Sequence, residues 1–127
     1  MDKRHIIKEA IENNKDNYQF TVGCLADQVG VSYSYLYEMV YQCFDMSPQQ
    51  LIETVRLEEA IRLIATGKKQ IKIYKNLGYG NIRSFREAFT RRMRMNFSDC
   101  RSQLDQETGE SLELEINKHI NSLWVNN

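Results

Sequence analysis

Apolar residues return at three- and four-residue intervals in a series of short segments along this chain, and polar breaks separate the segments. Ile6, Ile7, Ala10 and Ile11 predict a first helix over about residues 2–14, closed by a polar stretch from Asn13 to Tyr18. Thr21 suits the N-cap of a second helix over about 22–29, with Val22, Leu25, Ala26 and Val29 on its apolar face. Ser32 caps a third over about 33–44, with Leu36, Met39, Val40 and Cys43 inward. Ser47-Pro48 is a strong start, because Pro at the first helical position gives up no hydrogen bond, and the apolar spacing then runs unbroken from Leu51 to Ile64 and Gly67. Helices over about 70–77 and about 82–94, the latter capped by Asn81, and a short one from Ser98 to Leu104 complete the main series. After a break at Gln106–Gly109, the residues Leu112, Ile116, Ile120, Leu123 and Trp124 predict one more amphipathic helix. No alternating strand pattern competes with this all-α reading.

The segments contain a repeat. Leu25, Ala26, Val29, Gly30 and Val31 return as Ile73, Tyr74, Leu77, Gly78 and Tyr79, and Ser32, Leu36 and Val40 return as Asn81, Phe85 and Phe89. In each copy a short helix turns at a glycine and a cap residue starts a second helix, the wiring of a helix-turn-helix that presents its second helix to a major groove. The predicted organisation is a first helix-turn-helix subdomain over 1–46, a linker helix over 47–67, a second subdomain over 68–104 and a tail over 105–127. At about 1.5 Å per residue the linker spans roughly 28 Å, and the heads' own offsets bring two readers near one turn of B-DNA, about 34 Å, apart.

Charge sharpens this picture. The 127 residues sum to zero, but residues 68–101 carry +8 while residues 1–67 and 102–127 each carry −4. The positive field belongs to the second repeat, where a duplex would meet it. Composition adds limits: no stretch approaches 18 uninterrupted apolar residues and the start is no signal peptide, so a cytoplasmic protein without a membrane segment is expected. Cys24, Cys43 and Cys100 are isolated and read as reduced core thiols, and His5 and His119 stand alone. No metal, no cofactor and no enzymatic activity is expected: there is no phosphate-cradling glycine loop and no nucleophile with a base beside it.

With these residues in view, the run Leu25-Ala26…Gly30-Val31-Ser32…Leu36…Val40, Arg56-Leu57…Ala60…Leu63-Ile64 and Leu77-Gly78-Tyr79…Phe85…Phe89…Arg101 resembles the DNA-binding domain of the AraC/XylS family of bacterial transcription regulators, over about residues 5–103. The resemblance implies two helix-turn-helix subdomains binding double-stranded DNA as a monomer, at asymmetric sites across adjacent major grooves, with RNA polymerase as protein partner. The family's usual ligand-sensing domain is absent, which leaves a stand-alone regulator or a fragment of a longer one; the initial Met favours an independent start.

The residues expected on DNA are those the core leaves free on each second helix. Tyr33, Ser34, Tyr37, Glu38 and Tyr41 face outward on the first, and Ile82, Arg83, Ser84, Arg86, Glu87 and Arg91 on the second. Recognition helices read from their N-terminal turns, which favours Ser34, Tyr37, Arg83 and Arg86 for bases, with Ile82 against a thymine methyl. Arg91, Arg92 and Arg94 come late and suit phosphates. Tyr33, Tyr37 and Tyr41 form a stripe at four-residue spacing, open to either burial against the first helix or sugar-phosphate contact. Where the family commonly has Arg, this chain has Glu38 and Glu87; Glu87 can pair with Arg83 one turn earlier, whereas Glu38 has only hydroxyls nearby and predicts a weaker first reader. Tyr74, Phe97 and Cys100 are further departures, bearing on packing. The competing class is a degenerate protein-interaction module on the same scaffold, suggested by the neutral total, Glu38 and the apolar tail. The tail is expected to pack on its own domain or on a second copy, which makes it the candidate dimer surface, with a foreign partner as the alternative.

Overall fold

A computed structural model describes residues 2–125. Its described residues form eight helices and no strand: α1 (Lys3–Glu12), α2 (Val22–Val29), α3 (Tyr33–Phe44), α4 (Pro48–Ala65), α5 (Gln70–Lys75), α6 (Ile82–Met93), α7 (Phe97–Asp105) and α8 (Gly109–Trp124). The predicted caps operate. Thr21 accepts from Cys24 N, Ser32 from Tyr35 N and Asn81 from Ser84 N, while Ser47 and Gln50 form a reciprocal capping box ahead of Pro48. Each of these bonds satisfies an amide that the first helical turn leaves without a partner.

The repeat extends further than the apolar pattern indicates. α3 and α6 have the same length, each followed by a non-glycine residue in the left-handed conformation, Asp45 (φ 57°) and Arg94 (φ 58°). Each is succeeded by another capped helix, α4 after Ser47 and α7 after Asn96, whose side chain accepts from Asp99 N at 2.8 Å. Arg94 therefore terminates α6 instead of lying within it, and α7 begins one residue earlier than Ser98 because Asn96 caps it. α5 stops at Lys75, two residues short of the expected end, as Asn76 begins the turn to Gly78. α8 starts three residues before Leu112, immediately after Thr108.

Two hydrophobic clusters divide the interior. One unites α1 to α3 with the first half of α4 through Ile7, Ile11, Leu25, Leu36, Val40, Leu51 and Val55. The other unites the second half of α4 with α5 to α8 through Leu57, Ile61, Ile73, Phe85, Phe89, Leu104 and Ile120. α4 serves both because its apolar residues wrap most of its circumference, as expected of a helix enclosed on several sides. Phe85, Phe89 and Phe97 meet with ring centroids 5.7–6.0 Å apart in tilted and edge-to-face arrangements, so Phe97 supplies the aromatic packing of the closing turn. All three cysteines are free; Cys100 is buried, but Cys24 and Cys43 are only half-buried and so are not core thiols. Among the described residues no helix is long and apolar enough to cross a membrane, and no cluster of His, Cys, Asp or Glu could hold a metal ion.

Candidate nucleic-acid interface

α6 is anchored by Phe85, Ala88, Phe89 and Met93, all buried. That spacing fixes which side faces out, and Arg83, Ser84, Arg86, Glu87, Thr90 and Arg91 are exposed there, with no other helix laid across them. Arg83 Nε donates to Glu87 Oε1 at 3.0 Å, the pairing the sequence suggests, and both side chains stay largely in solvent. Arg86 Nη2 donates to Gln70 Oε1 at 3.2 Å, which draws the start of α5 alongside α6. Lys68, Lys69 and Lys72 lie at that start and are exposed, so the helix and the preceding turn share a cationic border. Ile82 is half-buried at the first position of α6.

The three late arginines part company. Arg91 is exposed but holds Glu53 of α4 at 2.5 Å. Arg92 is largely enclosed: it donates from Nη1 to Glu53 at 3.1 Å and from Nη2 to Thr54 Oγ1 at 2.7 Å and to the Leu123 carbonyl at 3.0 Å. With Nη1 also donating to the Gln50 carbonyl at 3.3 Å, the guanidinium's fork is used four ways inside the protein and is not free for a phosphate, so the expectation for Arg92 is corrected to a structural brace. Arg94, at the end of α6, remains exposed. Arg101, counted in the positive field, donates to the Lys68 carbonyl and lies over the Phe97 ring, so its charge stays in the field while its fork is engaged within the protein.

α3 presents a different surface. Tyr33, Ser34, Glu38 and Tyr41 are exposed and Tyr37 is half-buried. The Tyr33 and Tyr37 rings stack at 5.2 Å, and Gln49 at the start of α4 donates its amide to the Tyr37 hydroxyl. The stripe therefore leans on the linker and not on the first helix; the tyrosine beside α1 is Tyr35, approached by Lys3. At the positions matching Arg83, Arg86 and Arg91 the first reader has Ser34, Tyr37 and Gln42. Its outward face carries no cation, and Glu38 stands on it. A cleft of about 550 Å³ opens where the N-terminal ends of α2 and α3 approach Gln49, Ile52 and Arg56 of α4.

Arg56, quoted in the linker signature but given no role there, and several residues that sequence reasoning passed over hold the readers in place. Arg56 Nε donates to the Lys15 carbonyl at 3.2 Å and Nη2 to the Asn17 carbonyl at 2.9 Å, while the guanidinium lies 5.7 Å from the Tyr79 ring centroid. One side chain thus ties the loop after α1, the linker and the second head's turn together. Burial pushes its pKa below the ordinary arginine value, with Tyr79 and Glu53 opposing the shift. Glu53, Thr54 and Gln49 were the others; Thr54, a fully buried hydroxyl in an otherwise apolar stripe of α4, carried a signal that could have found it.

Known proteins show the same plan. A family model described as a helix-turn-helix domain matches residues 25–103. A histidine kinase P4 from Formosa agariphila is 28% identical over 83 residues, a match covering 65% of this chain and 6% of the kinase, so the chain spans only a small part of that relative's length. The C-terminal domain of the two-component response regulator yesN from Fusobacterium nucleatum superposes with a TM-score of 0.71 at 24% identity, covering 77% of this chain and 96% of that one. A DNA-binding transcriptional dual regulator from Escherichia coli K-12 also gives a TM-score of 0.71, at 22% identity, covering 82% of this chain and 93% of the other. The paired helix-turn-helix units, the shared linker helix and the matched residues together assign the chain to the AraC-type helix-turn-helix family of DNA-binding transcription regulators.

Proposed function

We propose that this chain, a transcription regulator by family, binds double-stranded DNA chiefly through α6, with α3 entering an adjacent major groove as a weaker reader. The observation that carries the proposal is the open face of α6, whose first two turns offer Arg83 and Arg86 above a fully buried aromatic anchor. Arg83 or Arg86 can pair bidentately with guanine O6 and N7, and Ile82 can meet a thymine methyl. Arg91 and Arg94, together with Lys68, Lys69 and Lys72, suit phosphates. On α3, Ser34 and Tyr37 are the base-reading candidates and Tyr33 a sugar-phosphate contact, with Glu38 able to accept from a cytosine amino group. The chain acts as a monomer on DNA, with RNA polymerase as its protein partner. The burial of Ile116, Ile120 and Leu123 of α8 within the chain's own second cluster supports the monomer reading.

Sites selected from random duplexes, followed by titration of affinity against salt, test this. With about six phosphates neutralised, affinity should fall roughly a thousandfold between 50 and 200 mM salt. Arg83→Ala should relax the preference at one base pair by about 1–3 kcal/mol, whereas Lys69→Ala should weaken all duplexes evenly. A flat salt response, or no enrichment of any sequence, rejects the proposal.

A further inference from the structure

α8 lies beyond the matched residues 25–103 and has no partner in the repeat, yet it touches both heads. Ile116, Ile120 and Leu123 are buried in the second cluster, while Trp124 packs against that cluster and the first one alike. The indole is held from three sides. Its Nε1 donates to Glu58 Oε1 of α4 at 2.8 Å, its ring lies 6.2 Å from Phe44 at the end of α3, and Lys8 Nζ of α1 sits 4.9 Å from its centroid. One residue earlier, the Leu123 carbonyl, among those a last helical turn leaves unsatisfied, accepts from Arg92 at the end of α6.

The final turn of α8 therefore joins the C-terminal ends of α3 and α6. We infer that it is a positioning element: Trp124 and the Arg92–Leu123 bond fix the angle between α3 and α6, so that the two helices meet a duplex as a preset pair. This rests on the reading of both helices as DNA readers. Arg56 ties the loop after α1 to the second head's turn near the middle of α4, but only the last turn of α8 joins the far ends of α3 and α6; without it those ends would be freer to swing about α4, and the second groove contact would lose effective concentration. Each head keeps its own core, so the indole's chief consequence is relative placement.

Spin labels at Tyr41→Cys and Thr90→Cys, exposed positions on α3 and α6, in a Cys24→Ser, Cys43→Ser background, report that placement without DNA. The full chain should give one narrow distance distribution. Trp124→Ala and Arg92→Gln should each broaden or shift it with helix content by circular dichroism retained. Affinity for a duplex spanning two grooves should fall about tenfold, with a smaller loss on a duplex trimmed to one groove. An unchanged distribution in both variants overturns the inference. If Trp124→Ala unfolds the chain, Trp124→Phe, which keeps the ring but loses the Glu58 bond, and Arg92→Lys, which keeps the charge but loses the fork, decide by the same distribution. Should the unsubstituted protein bind no duplex while the distribution still widens in the variants, the DNA reading fails and the positioning role stands.

Discussion

At the scale of single residues, the two readers differ by what sits beside equivalent glutamates. Glu87 has Arg83 one turn earlier, at 3.0 Å, and an ion pair this exposed contributes only about 0.3–0.5 kcal/mol, so Arg83 can leave it for a base at little cost. Glu38 shares its face with Ser34 and tyrosines, and its charge repels a backbone without compensation. Glu38→Arg should tighten general duplex affinity several-fold and steepen the salt slope by about one, since a phosphate contact replaces a repulsion. Fluorescence anisotropy at two salt concentrations checks this; an unaltered slope would mean that α3 never approaches the backbone. The outward positions of both helices were legible from their apolar spacing, because a 3.6-residue period leaves little choice of face. The fate of Arg92 was not. Its partners Glu53 and Thr54 lie 39 and 38 residues away in sequence, and charge counting gives a bracing arginine the same weight as a free one.

At the scale of elements, the two turns obey one rule with different tolerances. Gly30 and Gly78 both have positive φ, 82° and 78°, where a side chain costs roughly 1–2 kcal/mol. A Cβ on Gly30 would meet open space. On Gly78 it would lie 2.5 Å from the Lys15 carbonyl oxygen and 2.8 Å from Arg56 Nη2, a collision with backbone and with the guanidinium that ties the linker to the loop after α1. Gly30→Ala should therefore lose about 1 kcal/mol in chemical denaturation, and Gly78→Ala at least twice that. Equal losses would show that the crowding of Lys15 and Arg56 around Gly78 is relieved without cost. The repeat revealed both glycines and the helices around them; the difference between them depends on a bond spanning 41 residues, which local pattern does not encode. The same reason explains α5, where spacing extended the helix toward Leu77 although Asn76 already begins the turn.

At the scale of the whole molecule, a chain of zero net charge holds its positive field in the second head while α8, acidic along its first turns, packs on that head's core. The sequence identified α8 as amphipathic, but the choice between its own domain and a second copy rested on surfaces that only the fold assembles. How α8 is seated has a pH consequence through His119. Its side chain is 5% exposed, Nε2 has no hydrogen-bond partner, and the nearest carboxylate, Glu115, is 3.8 Å away. Burial lowers its pKa from the ordinary 6.5; Glu115 pulls the other way, and Lys118 adds to the lowering. The unfolded chain therefore takes up this proton at a higher pH than the folded one. As pH falls through 6.5 toward the folded value, the unfolded state binds more protons and stability declines; above 6.5 the contribution is fully present. The melting temperature should hold steady near pH 7.5 and drop toward about pH 5.5, and His119→Leu, which keeps a buried apolar side chain on α8 and removes the titrating ring, should flatten that decline. If His119→Leu and the parent lose stability equally over this range, the acid sensitivity arises outside the seat of α8.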